Sequence, residues 1–244
     1  AVVSKDSPPS FDNIHAYKDE VVPWIKKLTD TIHDQDCKIM IQLTHLGRRT
    51  SWSKGDWLPS LSSGKHREPA HKAFPKVIES WDIERIIKDY GDAAERMKQG
   101  GMDGVELEGQ GHLIGQFLSP LTNELNSEYG GSLENRLRFT IDVLSDIRKK
   151  VGQDFIVGIR CVFDEVEEGG INKSEGLKIA KILSDSDLVD YLNVNKGRIH
   201  TDPILTKHIP IQGMKSAPHL EFASEIKKEI KLPIFHASKI SDVA

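Results

Sequence analysis

Residues 100–139 read GGMDGVELEGQGHLIGQFLSPLTNELNSEYGGSLENRLRF, and their order decides the fold. In Val105-Glu106-Leu107-Glu108 apolar residues alternate with carboxylates, the two-residue period that sends Val105 and Leu107 to one face of a strand and Glu106 and Glu108 to the other. A strand with acids on one face needs polar partners for them there. Gly, Ser, Pro and Asn crowd the loop that follows, and Ser132 opens a run that reads as a helix N-terminus led by a hydroxyl side chain. Polar chemistry gathered between the C-terminal end of a strand and the next helix is the pattern of the functional face of a parallel β/α barrel.

Outward from this stretch the alternation repeats. On the N-terminal side, Val21, Trp24, Ile25, Leu28 and Ile32 keep a helical period, and residues 38–43 read as a strand with Gln42 opposite Ile41 and Leu43. The polar stretch near 50–75 is too long for a connector and is expected to form an excursion loop. Ile83, Ile86, Ile87, Tyr90, Ala94 and Met97 mark a helix stopped by Gly100-Gly101. On the C-terminal side, Leu137, Ile141 and Leu144 carry a helix towards Val151-Gly152, and FIVGIRCV over 155–162 is a strand. Asn172, with Glu175 three residues on, caps the next helix. Residues 191–195 alternate as a strand, 216–230 read as a helix with Pro218 in its first turn, and LPIFHA over 232–237 is a last strand.

Strict helix–strand alternation argues for a parallel sheet. Each strand carries a polar residue near its C-terminal end on the parity opposite its aliphatics: Gln42, Glu106 or Glu108, Arg160, Asn193 or Asn195, and His236. If the aliphatics face outer helices, these groups converge on one mouth. No Gly-rich phosphate turn follows the first strand, as an open doubly wound sheet would usually show. The expected fold is therefore α/β, an incomplete (β/α)8 TIM barrel, forming a single domain over residues 1–244.

The chain has 244 residues, 38% hydrophobic and 29% charged, enough for one sizeable core. Lys+Arg 33 against Asp+Glu 37 leave a net charge of -4, with no electrostatic reason to expect nucleic acid or a membrane surface as partner. A small molecule is the expected partner, and a homo-oligomer is left open. No apolar run approaches the roughly 20 residues of a membrane span and no signal-peptide pattern opens the chain, so a cytoplasmic location is expected. The 2 cysteines, Cys37 and Cys161, stand just before or within strand-like runs and are expected to be buried thiols rather than a disulfide. No metal site is expected.

The residues Gln42-Leu43-x-His45-x-Gly47-Arg48, Gly101-x-Asp103-Gly104-Val105-Glu106, Gln116-Phe117-Leu118-Ser119-Pro120, Asn123, the run EYGGSLENR over 128–136, and Arg138-Phe139 resemble the Old Yellow Enzyme family of FMN-dependent oxidoreductases. The resemblance covers essentially the whole chain and implies a (β/α)8 barrel, about its third to seventh strands, with FMN at the C-terminal mouth. The branch that includes trimethylamine dehydrogenase and 2,4-dienoyl-CoA reductase is the nearer one. GHLIGQFLSP, GIR…DEVEEGGI and IPIQGM look most like its dimethylglycine and N-methylproline demethylases. Two departures matter. Most ene reductases of the family hold a substrate carbonyl with a His-x-x-His or His-x-x-Asn pair, where this chain has Glu108 and Gly111. Without those donors an enone loses its oxyanion stabilisation, whereas a carboxylate suits a cationic or proton-carrying substrate. The family's first two strands and its eighth are also missing, so the chain reads as a fragment.

The resemblance implies roles residue by residue. Gln42 would bind the pyrimidine edge of the flavin, because an amide both donates and accepts. Arg160 would stand by flavin N1 and the C2 carbonyl and stabilise the anionic reduced ring, or else form an interior ion pair with Glu106. Ser238 and Lys239 take the place of a Gly-Arg pair that binds the FMN phosphate, although Lys lacks the bidentate fork. Glu108 and His112 are the substrate-side catalytic candidates. His45 is a third, weighed against a structural role. Arg136 and Arg138 would pin the loop before their helix, and residues 164–168 would be a solvated acidic loop. The implied activity is FMN-dependent oxidative N-demethylation of a small methylated amine. The rivals are an NAD(P)H-dependent ene or 2,4-dienoyl-CoA reductase and an inert truncated barrel that binds no flavin. Any 4Fe-4S cluster, FAD or NAD(P)H would be held by regions outside this chain.

Overall fold

The computed structural model describes residues 1–7, 13–49, 58–69, 72, 74–200 and 202–241. In chain order the elements are α1 (Val21–His33), β1 (Met40–Leu43), a 3-10 turn (Gly47–Arg49), β2 (Leu61–Ser62), β3 (Lys76–Val77), α2 (Ser80–Gln99), β4 (Gly104–Gly109), α3 (Leu113–Leu118), α4 (Leu133–Val151), β5 (Ile156–Asp164), α5 (Lys173–Asp185), β6 (Tyr191–Lys196), α6 (Asp202–His208), α7 (Leu220–Glu229) and β7 (Ile234–His236).

Five strands form one sheet in the order β1-β4-β5-β6-β7, every pair parallel. Strand order follows chain order without the reversal that defines a doubly wound sheet, so this is the wall of a barrel. Ala1 and Val3 pair along the outer edge of β1, with Val3 N–H donating to the Thr44 carbonyl at 3.0 Å and Thr44 N–H to that of Ala1 at 2.9 Å. The aliphatics Val105, Leu107, Val157, Ile159, Leu192 and Val194 are fully buried in a core shared with the helices, which leaves the opposite parity for the interior.

Local signals set most of the boundaries. Ser132 accepts from Asn135 N–H at 3.3 Å and Asn172 from Glu175 N–H at 3.1 Å, so both expected N-caps form. Arg136 donates to the carbonyls of Leu118 (3.1 Å) and Gly131 (3.4 Å) and pairs with Glu175, and Arg138 donates to the Glu128 carbonyl (2.9 Å), so the two arginines do pin the loop. Several details differ from the reading of the sequence. His236, expected at the mouth, is in register with Val194 and so shares the parity of the buried aliphatics, which leaves Phe235 on the interior face. The short helices α3 and α6 fall in stretches read as loop, since six or seven residues give too few turns for a period to show. The helix expected from 216 begins at Leu220, after a turn holding Pro218. Cys37 is exposed, because it lies in the turn before β1, while Cys161 is buried within β5. Much of the excursion loop near 50–75 lies outside the described residues; its described part contributes β2, which pairs parallel with β3. No described helix is long and apolar enough to cross a membrane.

Candidate active site

The sheet register stacks the inward side chains in layers. Gln42, Glu106, Gly158 and Tyr191 align in one, and Glu108, Arg160, Asn193 and Phe235 in the next towards the C-terminal mouth. Gln42 and Arg160 therefore share the interior face, one layer apart. In the lower layer Glu106 is the hub. Its carboxylate accepts from Gln42 Nε2 at 2.8 Å, Tyr191 Oη at 3.0 Å and Asn193 Nδ2 at 3.0 Å. Gly158 makes this possible, since a Cβ there would lie 2.0 Å from the Tyr191 ring. The alternative of an Arg160–Glu106 ion pair is not what forms: three neutral donors satisfy Glu106, and Arg160 lies beside Glu108.

Above this layer a cavity of about 730 Å³ is lined by Glu108, His112, Arg160, Arg49, His200 and His208, among others. Burial pushes the Glu108 carboxyl up to about 7, against the pull of Arg160 and of the Gln110 N–H that donates to it at 2.6 Å. Burial, with Arg49 nearby, pushes His112 down to about 3, so its ring is neutral; Nδ1 shares a 2.7 Å hydrogen bond with Thr44 Oγ1. Burial and then Arg160 take His208 down to about 4. The mouth thus holds a carboxyl poised near neutrality beside imidazoles that stay uncharged.

His45 stands apart from this group. It is fully buried, its Nε2 lies 3.1 Å from Asp6 Oδ1, and its Nδ1 accepts from Gly47 N–H at 3.0 Å. Burial opposes ionisation of Asp6, but His45 and Arg85 hold its carboxyl at about 2. Both ring nitrogens of His45 are spent on fixing the turn after β1, and the ring does not line the cavity.

Ser238 and Lys239 line a second recess of about 280 Å³ that shares Arg160 and His208 with the main cavity and adds Asn195. Both have left-handed backbones (φ 99° and 47°), costly for residues with a Cβ and the reason glycine suits such a turn. Ser238 Oγ donates to the His208 carbonyl at 3.0 Å, and the Lys239 ammonium is spent on the carbonyls of Ile211 (2.8 Å) and Met214. The acidic run 164–168 is only half solvated, a correction to the sequence reading. Glu165 is buried, accepting from Ser119 Oγ and Ile171 N–H at 2.8 Å each with Arg198 Nε 3.3 Å away, and Asp164 is buried at the end of β5.

Among the described residues, Arg160 Nε, Asn193 Oδ1, Gln110 Nε2 and both amide atoms of Asn195 are buried without hydrogen-bond partners. Each such atom costs about 1–3 kcal/mol. Their clustering around the cavity and recess fits a polar, ring-bearing ligand with donors and acceptors along its edge. Sequence reading missed Arg49, His200 and His208. The doubled arginine after Gly47 was the one signal for the first; nothing in the sequence marked the two histidines.

A parallel barrel wall with an interior ladder of polar side chains rising to an ionisable mouth is where a β/α barrel seats a polar ligand, over its strand ends. The chain belongs to the NADH:flavin oxidoreductase / NADH oxidase family, whose model matches residues 1–243. It is 63% identical, over 244 residues, to a probable N-methylproline demethylase of Rhizobium meliloti (strain 1021), covering 100% of this chain and 36% of that protein. It is 43% identical, over 243 residues, to a multifunctional alkene reductase/demethylase of Caballeronia cordobensis, covering 99% and 36%. The solved 2-naphthoyl-CoA reductase complex superposes with a TM-score of 0.90 at 26% identity, covering 99% of this chain and 38% of that one. The chain spans only a little over a third of the length of these two curated relatives, and the sheet is correspondingly a partial barrel.

Proposed function

We propose that the protein is an FMN-dependent oxidoreductase that demethylates a small N-methylated amine of the N-methylproline or dimethylglycine type. When bound, FMN supplies the two-electron acceptor for the hydride that leaves the N-methyl carbon. Arg160, the side-chain Oε1 of Gln42, Asn195 and the left-handed backbone at Ser238 and Lys239 are the groups proposed to hold it, and the unpartnered buried atoms of Arg160 and Asn195 support this.

The observation that carries the amine reading is Glu108. It puts a single buried carboxyl where a carbonyl-activating pair would need two donors, and Gly111 offers no side chain for the second. Oxidation at the methyl carbon requires the amine neutral, and the ionised Glu108 carboxylate is the general base placed to take the ammonium proton. His112, uncharged and tied to Thr44, adds polarity without a competing positive charge. The overall change takes an N-methyl amine and water to the demethylated amine and formaldehyde, with a hydride and a proton removed. Reoxidation is proposed to run through regions beyond this chain.

Anaerobic mixing of the flavin-loaded protein with N-methylproline or dimethylglycine tests the proposal. Loss of the yellow colour with one equivalent of formaldehyde is the expected result. No bleaching with either, but turnover of an enone with reduced nicotinamide, establishes the second reading, which the name of the 43% identical relative supports. A colourless protein that takes up no flavin defeats both.

A further inference from the structure

A plain methylated amine and an N-methylated amino acid present the same methyl carbon to an oxidant, and only the second also carries a carboxylate. The lining of the main cavity distinguishes them by charge. Among the described lining residues Arg49, Lys72 and Arg160 face the carboxyl of Glu108, with Glu68 set behind Arg49, and His112 and His208 are held uncharged. A ligand bearing only positive charge meets more repulsion than attraction there, so the cavity asks for an anionic group as well.

The geometry places one of these cations beside Glu108's loop. Arg49 ends the 3-10 turn Gly47–Arg49, which is fixed from below: Gly47 has φ +60°, a Cβ there would lie 2.3 Å from Gln116 Oε1, and that same oxygen accepts from Arg48 N–H at 3.1 Å. Gly111 also has positive φ (+66°), and a Cβ on it would sit 2.9 Å from Ile199 Cδ1 and 3.8 Å from Arg49 Nη1. Ile199 already fills the space a side chain at 111 would take, and the Arg49 guanidinium borders it on the side that lines the cavity with Glu108. Glu68 Oε1 is 3.9 Å from Arg49 Nε, too long for a hydrogen bond but close enough to orient the group. Arg49 is about a fifth exposed, so a charge pair made there is partly shielded from water.

We propose that Arg49 is the carboxylate anchor of the site, its guanidinium pairing with the substrate carboxylate through a charge-assisted, two-pronged contact while Glu108 takes the amine end. This rests on the demethylase reading and deepens it, making the substrate class N-methylated amino acids rather than methylated amines at large.

The test uses the flavin-loaded protein and two compounds that differ only in the carboxylate, N-methylproline and N-methylpyrrolidine, with flavin bleaching as one readout and calorimetric binding of proline as another. The wild type is expected to favour N-methylproline in kcat/KM. Arg49→Gln should lower that preference roughly tenfold to a hundredfold, through KM, and weaken proline binding by a similar factor. Arg49→Lys should recover part of it. If the variant loses its flavin, N-methylprolinamide against the wild type decides the matter, since removing the anion alone should reproduce the loss. An unchanged preference in Arg49→Gln, or equal use of acid and amide by the wild type, overturns the assignment while leaving demethylation standing. A wild type bleached by none of these compounds overturns the demethylase reading itself.

Discussion

At the scale of single residues the chemistry turns on Glu108. A carboxyl ordinarily at 4.5 that holds its proton to about 7 costs the folded state on the order of 3 kcal/mol once ionised. The unfolded chain releases this proton near 4.5, so Glu108 withdraws stability as pH climbs from about 4.5 to about 7 and no more beyond that. Glu108→Gln, which mimics the protonated form, is expected to match the wild type in flavin-free stability at about pH 4 and exceed it at about pH 8, as urea midpoints at the two values would show. Activity moves the opposite way. The carboxylate that takes the amine's proton appears only as pH rises through about 7, so kcat/KM for N-methylproline should rise through that region and Glu108→Gln should flatten the limb while lowering the plateau. A pH–rate profile with the same limb in both proteins would remove Glu108 from the role.

At the scale of elements the strands were legible and the connections less so. The two-residue period in Val105–Glu108 separated core from interior faces, and the register then placed Gln42, Glu106, Glu108 and Arg160 on the parity read from the sequence. His45 and Arg49 show where that reasoning stops. They lie four residues apart past the end of β1, where a 3-10 turn buries the first and carries the second to the cavity, and no period crosses such a turn. Close approaches are equally silent in a sequence. Gly176, inside α5, looks like a position where alanine would improve helix propensity by about 1 kcal/mol. In the fold a Cβ there would lie 1.8 Å from the Phe163 carbonyl oxygen of β5, a backbone atom that cannot step aside. Gly176→Ala must lift α5 away from β5 and loosen the buried Ile179, Ala180 and Leu183. A net destabilisation of about 1–3 kcal/mol is expected, read as a lower urea midpoint; a rise would mean that the helix shifts freely.

At the scale of the whole molecule the sheet has two unlike edges. Beyond β1, Ala1 and Val3 occupy the ladder, whereas no described strand pairs with the far side of β7. Phe235 on β7 is in register with Glu108, Arg160 and Asn193 and so belongs to the interior layer, yet it is 56% exposed, with its ring edge-on to Tyr191 at 4.9 Å. Leu220 and Ile240 are about half exposed as well. An interior aromatic in solvent beside an unpaired strand is a template for a second chain. The 244-residue chain on its own is therefore expected to self-associate with rising concentration in sedimentation velocity. Phe235→Lys, which puts a charge on that edge, should shift it towards monomer without changing the far-ultraviolet circular dichroism. A chain that stays monomeric at every concentration would show that the β7 edge does not recruit a second copy.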